Sequence, residues 1–98
     1  MLTGKQRSYL RGLANTMPAL YQIGKNGLED NSLRQYDEAL EARELIKAVV
    51  LKNAEYSARE ACHLLCEKLK AEPIQVVGSK FVMYRESKNN KQIQIPGI

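Results

Sequence analysis

The sequence predicts an α/β two-layer sandwich, a four-stranded mixed sheet with helices in the order αβαβαββ. Three observations carry this expectation. Apolar residues recur at helical spacing in three stretches, and β-rich segments follow each of them. The last two β-rich segments are separated only by Gly78-Ser79, a tight reversal. Strands divided by helices need crossover connections, whereas the closing pair is an antiparallel hairpin, so the sheet must be mixed. Packing helices against a single sheet is the economical way to bury both kinds of element.

The elements follow in order. Thr3 caps a first helix to about Asn15, with Leu2, Gln6, Tyr9, Leu10 and Leu13 on one side and Arg7 and Arg11 in a stripe beside them. Pro18 stops that helix, and residues 19–23 read as a short strand. A second helix starts between Asp30 and Ser32 and reaches about Ala42, with Leu33, Tyr36 and Leu40 inward and Asp37, Glu38 and Glu41 toward water. Residues 44–52 form the clearest strand, with Ile46, Ala48 and Val50 on one face. Ser57 and Glu60 make a capping box that opens a third helix to about Ala71, buried along Ala58, Ala61, Cys62, Leu65 and Leu69. Residues 74–77 and 80–85 form the hairpin. Residues 1–98 make one domain, in which the stretch from Lys88 is expected to be a loosely held tail.

Composition excludes several classes. The longest apolar runs, such as Phe81-Val82-Met83-Tyr84, have four residues, whereas a membrane-spanning helix needs about 20. No secretory leader pattern opens the chain, and two cysteines are too few for a disulfide-built fold, so a cytoplasmic setting is expected. The net charge of +4 hides a segregation. Residues 1–28 hold Lys5, Arg7, Arg11 and Lys25 and no acid. Residues 29–44 hold six acids against Arg34 and Arg43, and the last twenty residues hold Lys80, Arg85, Lys88 and Lys91 against Glu86. Basic ends around an acidic helix favour a polyanionic partner if folding brings the ends together.

Catalysis has no constellation to work with. His63 follows Cys62 directly, and neighbouring helical residues point about 100° apart, so the two cannot form a dyad. Cys62 and Cys66 share a helix face but lack the further ligands a zinc site needs, and core packing is the better reading. Neither a Walker-type loop nor a dinucleotide fingerprint is present, and no cofactor or metal is expected. The segment around Phe81 echoes an RNA-recognition strand only faintly, and core packing is again favoured.

The segment Gly24-Lys25-Asn26-Gly27 stands out. Asn-Gly is a favoured turn pair and can serve only to reverse the chain. Yet a helix follows where a hairpin would require a strand. Glycines at both ends of such a loop let a phosphate backbone approach, helix-start amides offer partial positive charge, and Lys25 adds a full one. KH domains clamp nucleic-acid backbones with a GXXG loop of this kind.

In these segments the chain resembles the CRM domain (chloroplast RNA splicing and ribosome maturation), above all its stand-alone bacterial YhbY-type form. The resemblance spans roughly residues 3–96, and its carriers are Leu10-Arg11-Gly12-Leu13-Ala14, Ile23-Gly24-Lys25-Asn26-Gly27, Glu44-Leu45-Ile46-Lys47, and Gln75-Val76-Val77-Gly78 followed by Tyr84-Arg85. It implies a fold akin to the C-terminal domain of bacterial translation initiation factor 3, and binding of RNA, specifically ribosomal RNA of the large-subunit precursor. By position it implies an RNA surface of Gly24, Lys25, Asn26 and Gly27 with Lys5 and Arg11. Arg7, from its stripe, and Lys47 and Arg85, from family-like segments, complete the candidates. The expected molecule is a monomeric, non-enzymatic assembly factor with ribosomal proteins as further partners and no membrane. The rival reading is a protein-interaction module that docks a basic ribosomal protein on the acidic second helix.

Overall fold

The computed structural model describes residues 2–25 and 28–95. Its elements keep the expected order: α1 (Gly4–Ala14), β1 (Tyr21–Ile23), α2 (Asp30–Arg43), β2 (Leu45–Val50), α3 (Ala58–Leu69), β3 (Glu72–Val77) and β4 (Lys80–Tyr84). The strands form one mixed sheet in the order β1-β2-β4-β3. β1 runs parallel to β2, and β4 lies antiparallel to both β2 and β3. Pro73 falls inside β3, beside an irregularity in its register with β4. It is tolerated because β3 is an edge strand, where a missing N–H leaves no ladder bond broken on the open side.

Local chemistry fixes the helix starts. The Thr3 hydroxyl accepts from the Gln6 N–H at 3.2 Å while the Gln6 side chain accepts from the Thr3 N–H at 2.8 Å. Ser57 and Glu60 exchange the same pair of bonds at the start of α3.

Side chains alternate across β2 and β4, and both sides of these strands are apolar, so both sheet faces require cover. Ile46, Ala48, Phe81 and Met83 face α2 and α3, among Ile23, Tyr36, Leu40, Cys62 and Leu65. Leu45, Val82 and Tyr84 turn to the opposite face, against Leu10 and Ala14 of α1, with Ile74 and Ile95. The helices therefore divide between the two faces, and α1 adds a layer to the two of the sequence reading. On α1 itself the buried line is Gln6, Leu10 and Ala14, while Tyr9 and Leu13, expected inward, stand about two-fifths exposed at 40% and 37%.

The α2–β2 junction departs most from expectation. Glu44 is not the first strand residue but the residue that closes α2, at φ 67°, with its N–H bonded to the Leu40 carbonyl at 2.8 Å. Its carboxylate is fully buried and accepts three backbone N–H bonds, from Ser87 at 2.8 Å and from Gln92 and Ile93 at 2.7 Å. Glu41 takes the Ser87 hydroxyl at 2.7 Å and the N–H groups of Lys88 and Asn89 at 3.1 and 3.0 Å. Glu41 thus faces a bound segment rather than open water. Where a loosely held tail is expected from Lys88, residues 88–95 are fastened by these bonds and by burial of Ile95. Residues 96–98 lie outside the described residues.

Both carboxyls titrate below their ordinary value. The Ser87 hydroxyl and the Lys88 and Asn89 amides hold Glu41 down at about 2 against 4.5. Burial pushes Glu44 up, but the amides of Ile93, Ser87 and Gln92, with Lys91 nearby, more than offset it and leave it lowered. A depressed carboxyl contributes stability that is complete above its unfolded value and lost as pH falls. Acid titration followed by amide exchange should release residues 87–93 as pH falls from 4.5 toward 2. Protection of these amides that persists unchanged at the acid end contradicts the clamp. Glu44→Ala leaves the buried donors of Ser87, Gln92 and Ile93 without their acceptor and should lower unfolding free energy by about 3 kcal/mol in urea titrations.

Candidate nucleic-acid interface

Strand direction decides which sequence-distant segments meet. β1 and β2 end, and β3 turns into β4, at the same edge of the sheet. The Leu51 N–H donates to the Ile23 carbonyl at 2.9 Å, and the Val50 N–H donates to the Ser79 carbonyl at 2.7 Å. Gly24 and Lys25, then Leu51, Lys52 and Asn53, then Gly78, Ser79 and Lys80 therefore form one rim. Lys25, Lys52 and Lys80 are all exposed on it. None of them belongs to an ion pair among the described residues.

Gly24 lies on this rim with room beside it. A Cβ added there would meet the Asn53 Oδ1 at 3.7 Å and a Leu51 methyl at 3.8 Å, ordinary contact distances. Folding therefore does not demand glycine at this position. Asn26 and Gly27, the rest of the expected loop, lie outside the described residues.

The remaining candidates separate. Lys47 pairs with Val82 and so faces the α1 side of the sheet, half-buried, without an acidic partner among the described residues. Lys80 pairs with Val49 and Val77 and points to the same side. Lys5 and Arg7 occupy the beginning of α1, at the far end of the sheet, where the Leu2 N–H donates to the Glu72 carboxylate at 3.0 Å. Two residues of helix set Lys5 and Arg7 about 160° apart around α1, so they cannot line one surface. Arg7 and Arg11 share the other flank, both half-buried, and the Arg7 Nε is enclosed with no hydrogen-bond partner among the described residues.

Arg85 is a fastening of the fold. Its Nη1 donates to the Asp37 carboxylate at 2.7 Å and the Leu69 carbonyl at 2.9 Å, and its Nη2 to the Asp37 carbonyl at 3.0 Å. It ties the end of β4 to α2 and to the end of α3, away from the rim, through three of its five N–H donors. Arg85, expected in the RNA surface, thus has an internal structural role. Conversely, Lys52 and Lys80 join the interface only once the register is known. Lys52 is visible in sequence only as a charge that spoils the alternation of its strand.

The start of α2 is a poor seat for phosphate. Glu29 stands at the N-cap without a side-chain cap bond, and Asp30 follows in the first turn, both exposed. Their charge already answers the helix dipole and opposes an approaching anion. His63 is exposed on α3, while Cys62 and Cys66 are buried within the core. No helix among the described residues is long and apolar enough to cross a membrane.

Comparison with known proteins bears on this surface. The family model described as the CRS1 / YhbY (CRM) domain matches residues 2–85. The Bacillus subtilis (strain 168) protein YqeI, named as a probable RNA-binding protein, is 45% identical over 96 residues, covering 98% of this chain and 100% of its own. A Haemophilus influenzae protein named RNA-binding protein is 33% identical over 95 residues, covering 97% of this chain and 95% of its own. The solution structure of the Staphylococcus aureus hypothetical protein SAV1595 superposes with a TM-score of 0.79 at 49% identity, covering 98% of this chain and 100% of that one.

The two kinds of basic residue should part in their effect on stability. Arg85→Ala should cost about 2 kcal/mol through its lost bonds to α2 and α3. Lys25→Ala, on an exposed and unpaired side chain, should stay within about 0.5 kcal/mol of the parent. Thermal and urea unfolding of the two variants check this; equal losses would contradict the separation.

Proposed function

The chain belongs to the CRS1 / YhbY (CRM) domain family, and from that premise we propose that it binds RNA across the rim formed by Gly24–Lys25, Lys52 and Lys80, with Lys47 beside it. One observation carries the reading: three segments far apart in sequence place exposed lysines, without ion-pair partners among the described residues, at one end of the sheet. Ammonium groups so placed neutralise phosphates and release their counterions, which is the sequence-independent part of RNA affinity. The names of the relatives, which describe RNA-binding proteins, support the same partner.

Within this reading Gly24 serves close approach. Without a side chain there, the RNA backbone can come close to the Gly24 main chain. The phosphates run over the lysines rather than onto the amides of α2, because Glu29 and Asp30 guard that helix start. The RNA is the ribosomal RNA of the large-subunit precursor, as the family resemblance implies, and the protein acts as a monomeric assembly factor in the cytoplasm without cofactor or catalytic step. Docking of a basic protein on the acidic helix is less favoured, since Asp37, Glu41 and Glu44 already hold hydrogen-bond partners within the chain.

Affinity for structured RNA should fall with salt at a log–log slope of about −2 to −4, the value for three or four phosphate contacts. A flat salt response overturns the mechanism. Lys25→Glu should weaken binding several-fold and flatten the slope while circular dichroism stays unchanged; unaltered affinity removes the rim. Crosslinking in cells followed by sequencing of the attached RNA checks the ribosomal assignment, which enrichment of messenger RNA over ribosomal RNA would overturn.

A further inference from the structure

On the α1 side of the sheet, next to the rim, the last turn of α1 stops short of the β3–β4 turn. A hollow of about 260 Å³ lies there, lined by Asn15, Lys47, Gln75, Val77, Lys80 and Val82. Its chemistry is unusual for a surface depression. Val77 is 63% exposed, the most exposed of the large apolar side chains among the described residues. Around it stand two carboxamides and two ammonium groups, and no carboxylate lines the hollow. None of these four polar side chains has a hydrogen bond or ion pair with any described residue. The register explains the grouping, since Lys47 and Gln75 both pair with Val82, and Lys80 pairs with Val77.

We infer that this hollow seats a single unpaired nucleotide of the bound RNA. The inference rests on the RNA-binding reading above and adds which form of RNA the protein selects. The exposed Val77 offers an apolar surface for the flat face of a base. The Asn15 and Gln75 carboxamides each carry both a donor and an acceptor and can match the polar edge of a base. Lys47 and Lys80 hold the phosphates on either side, and Lys80 also belongs to the rim, so the strand continues from hollow to rim without a break. A paired base cannot enter. The major groove of an RNA duplex is deep and narrow, and base edges become reachable to such side chains in loops, bulges and ends.

The test uses the full chain, a hairpin RNA with a single-stranded loop, and a blunt duplex with the same number of phosphates, with affinities measured by fluorescence anisotropy at one salt concentration. The parent protein should favour the hairpin. Asn15→Ala combined with Gln75→Ala should weaken hairpin binding roughly tenfold, the effect of losing one to two net hydrogen bonds, with duplex binding unchanged. Lys25→Glu should weaken both RNAs. Val77→Ser, at an exposed position, provides a second variant with the same selective loss, should the double substitution disturb folding. A double variant that loses both RNAs equally, or neither, overturns the hollow while leaving RNA binding intact. A parent protein that binds neither RNA overturns the RNA-binding reading itself. Displacement of the hairpin by polyglutamate as readily as by unlabelled hairpin reassigns the hollow to an acidic polypeptide and overturns the nucleotide.

Discussion

The architecture depends on one buried carboxylate. Glu44 stops α2, turns the chain through a left-handed φ of 67°, and lets β2 begin at the next residue. A non-glycine residue is disfavoured in that conformation by about 1 kcal/mol or more. What holds it there is the side chain, whose oxygens accept the amides of Ser87, Gln92 and Ile93. A shorter or neutral side chain could not satisfy three buried donors at once. Through these bonds the segment after β4 is laid back over the sheet, and Ile93 and Ile95 reach the cluster of Leu10, Leu45, Val82 and Tyr84. The second sheet face is therefore covered by α1 and by a segment with no regular structure, both anchored at the Glu72–Tyr84 end. The opposite end is left bare, and Lys47, Val77 and Lys80 occupy it.

Charge follows the same division. The acids of residues 29–44 divide: Glu29, Asp30 and Glu38 are exposed to solvent, and the other three hold internal bonds. Asp37, Glu41 and Glu44 recur at spacings of four and three residues, so they share one side of α2, and each is consumed by an internal bond: Arg85 for Asp37, the post-β4 segment for the other two. The lysines of the rim meet no such partners among the described residues. A net charge of +4 understates the basic character of the bare end, because much of the negative charge that balances the lysines is locked on the other side of the molecule.

Local features were legible in the sequence and long-range ones were not, for a physical reason. The Ser57–Glu60 box, the Gly78–Ser79 reversal and the spacing of Leu33, Tyr36 and Leu40 are interactions between near neighbours, readable without knowing the fold. Phe81 reads as core for the same reason, and it is 1% exposed. The role of Glu44 was hidden because its donors come from more than forty residues away; carboxylate spacing alone does not distinguish a solvated stripe from an internal clamp. The internal role of Arg85 is hidden likewise, since only the tertiary approach of Asp37 and the Leu69 carbonyl reveals it. Lys52 and Lys80 became candidates through the parallel pairing of β1 with β2 and the antiparallel pairing of β2 with β4, which place their termini on one edge. Of the glycine loop, Gly24 and Lys25 can be placed on that edge, and Asn26 and Gly27 lie outside the described residues.

Stability and recognition are consequently carried by different groups. The side chains that hold the molecule together, Glu44, Glu41, Arg85 and the two apolar clusters, are buried or bonded. The polar side chains on the rim and around the hollow are exposed or half-exposed and make no bonds among the described residues. A residue with no internal partner contributes little to folding. Gly24 illustrates the point from the other direction, because the fold has space for a side chain there and the chain has none. Unpaired lysines, unpaired carboxamides and an exposed valine are individually ordinary surface residues. Their convergence on one sheet end, from five separate segments of the sequence, is set by the pairing of the strands that carry them.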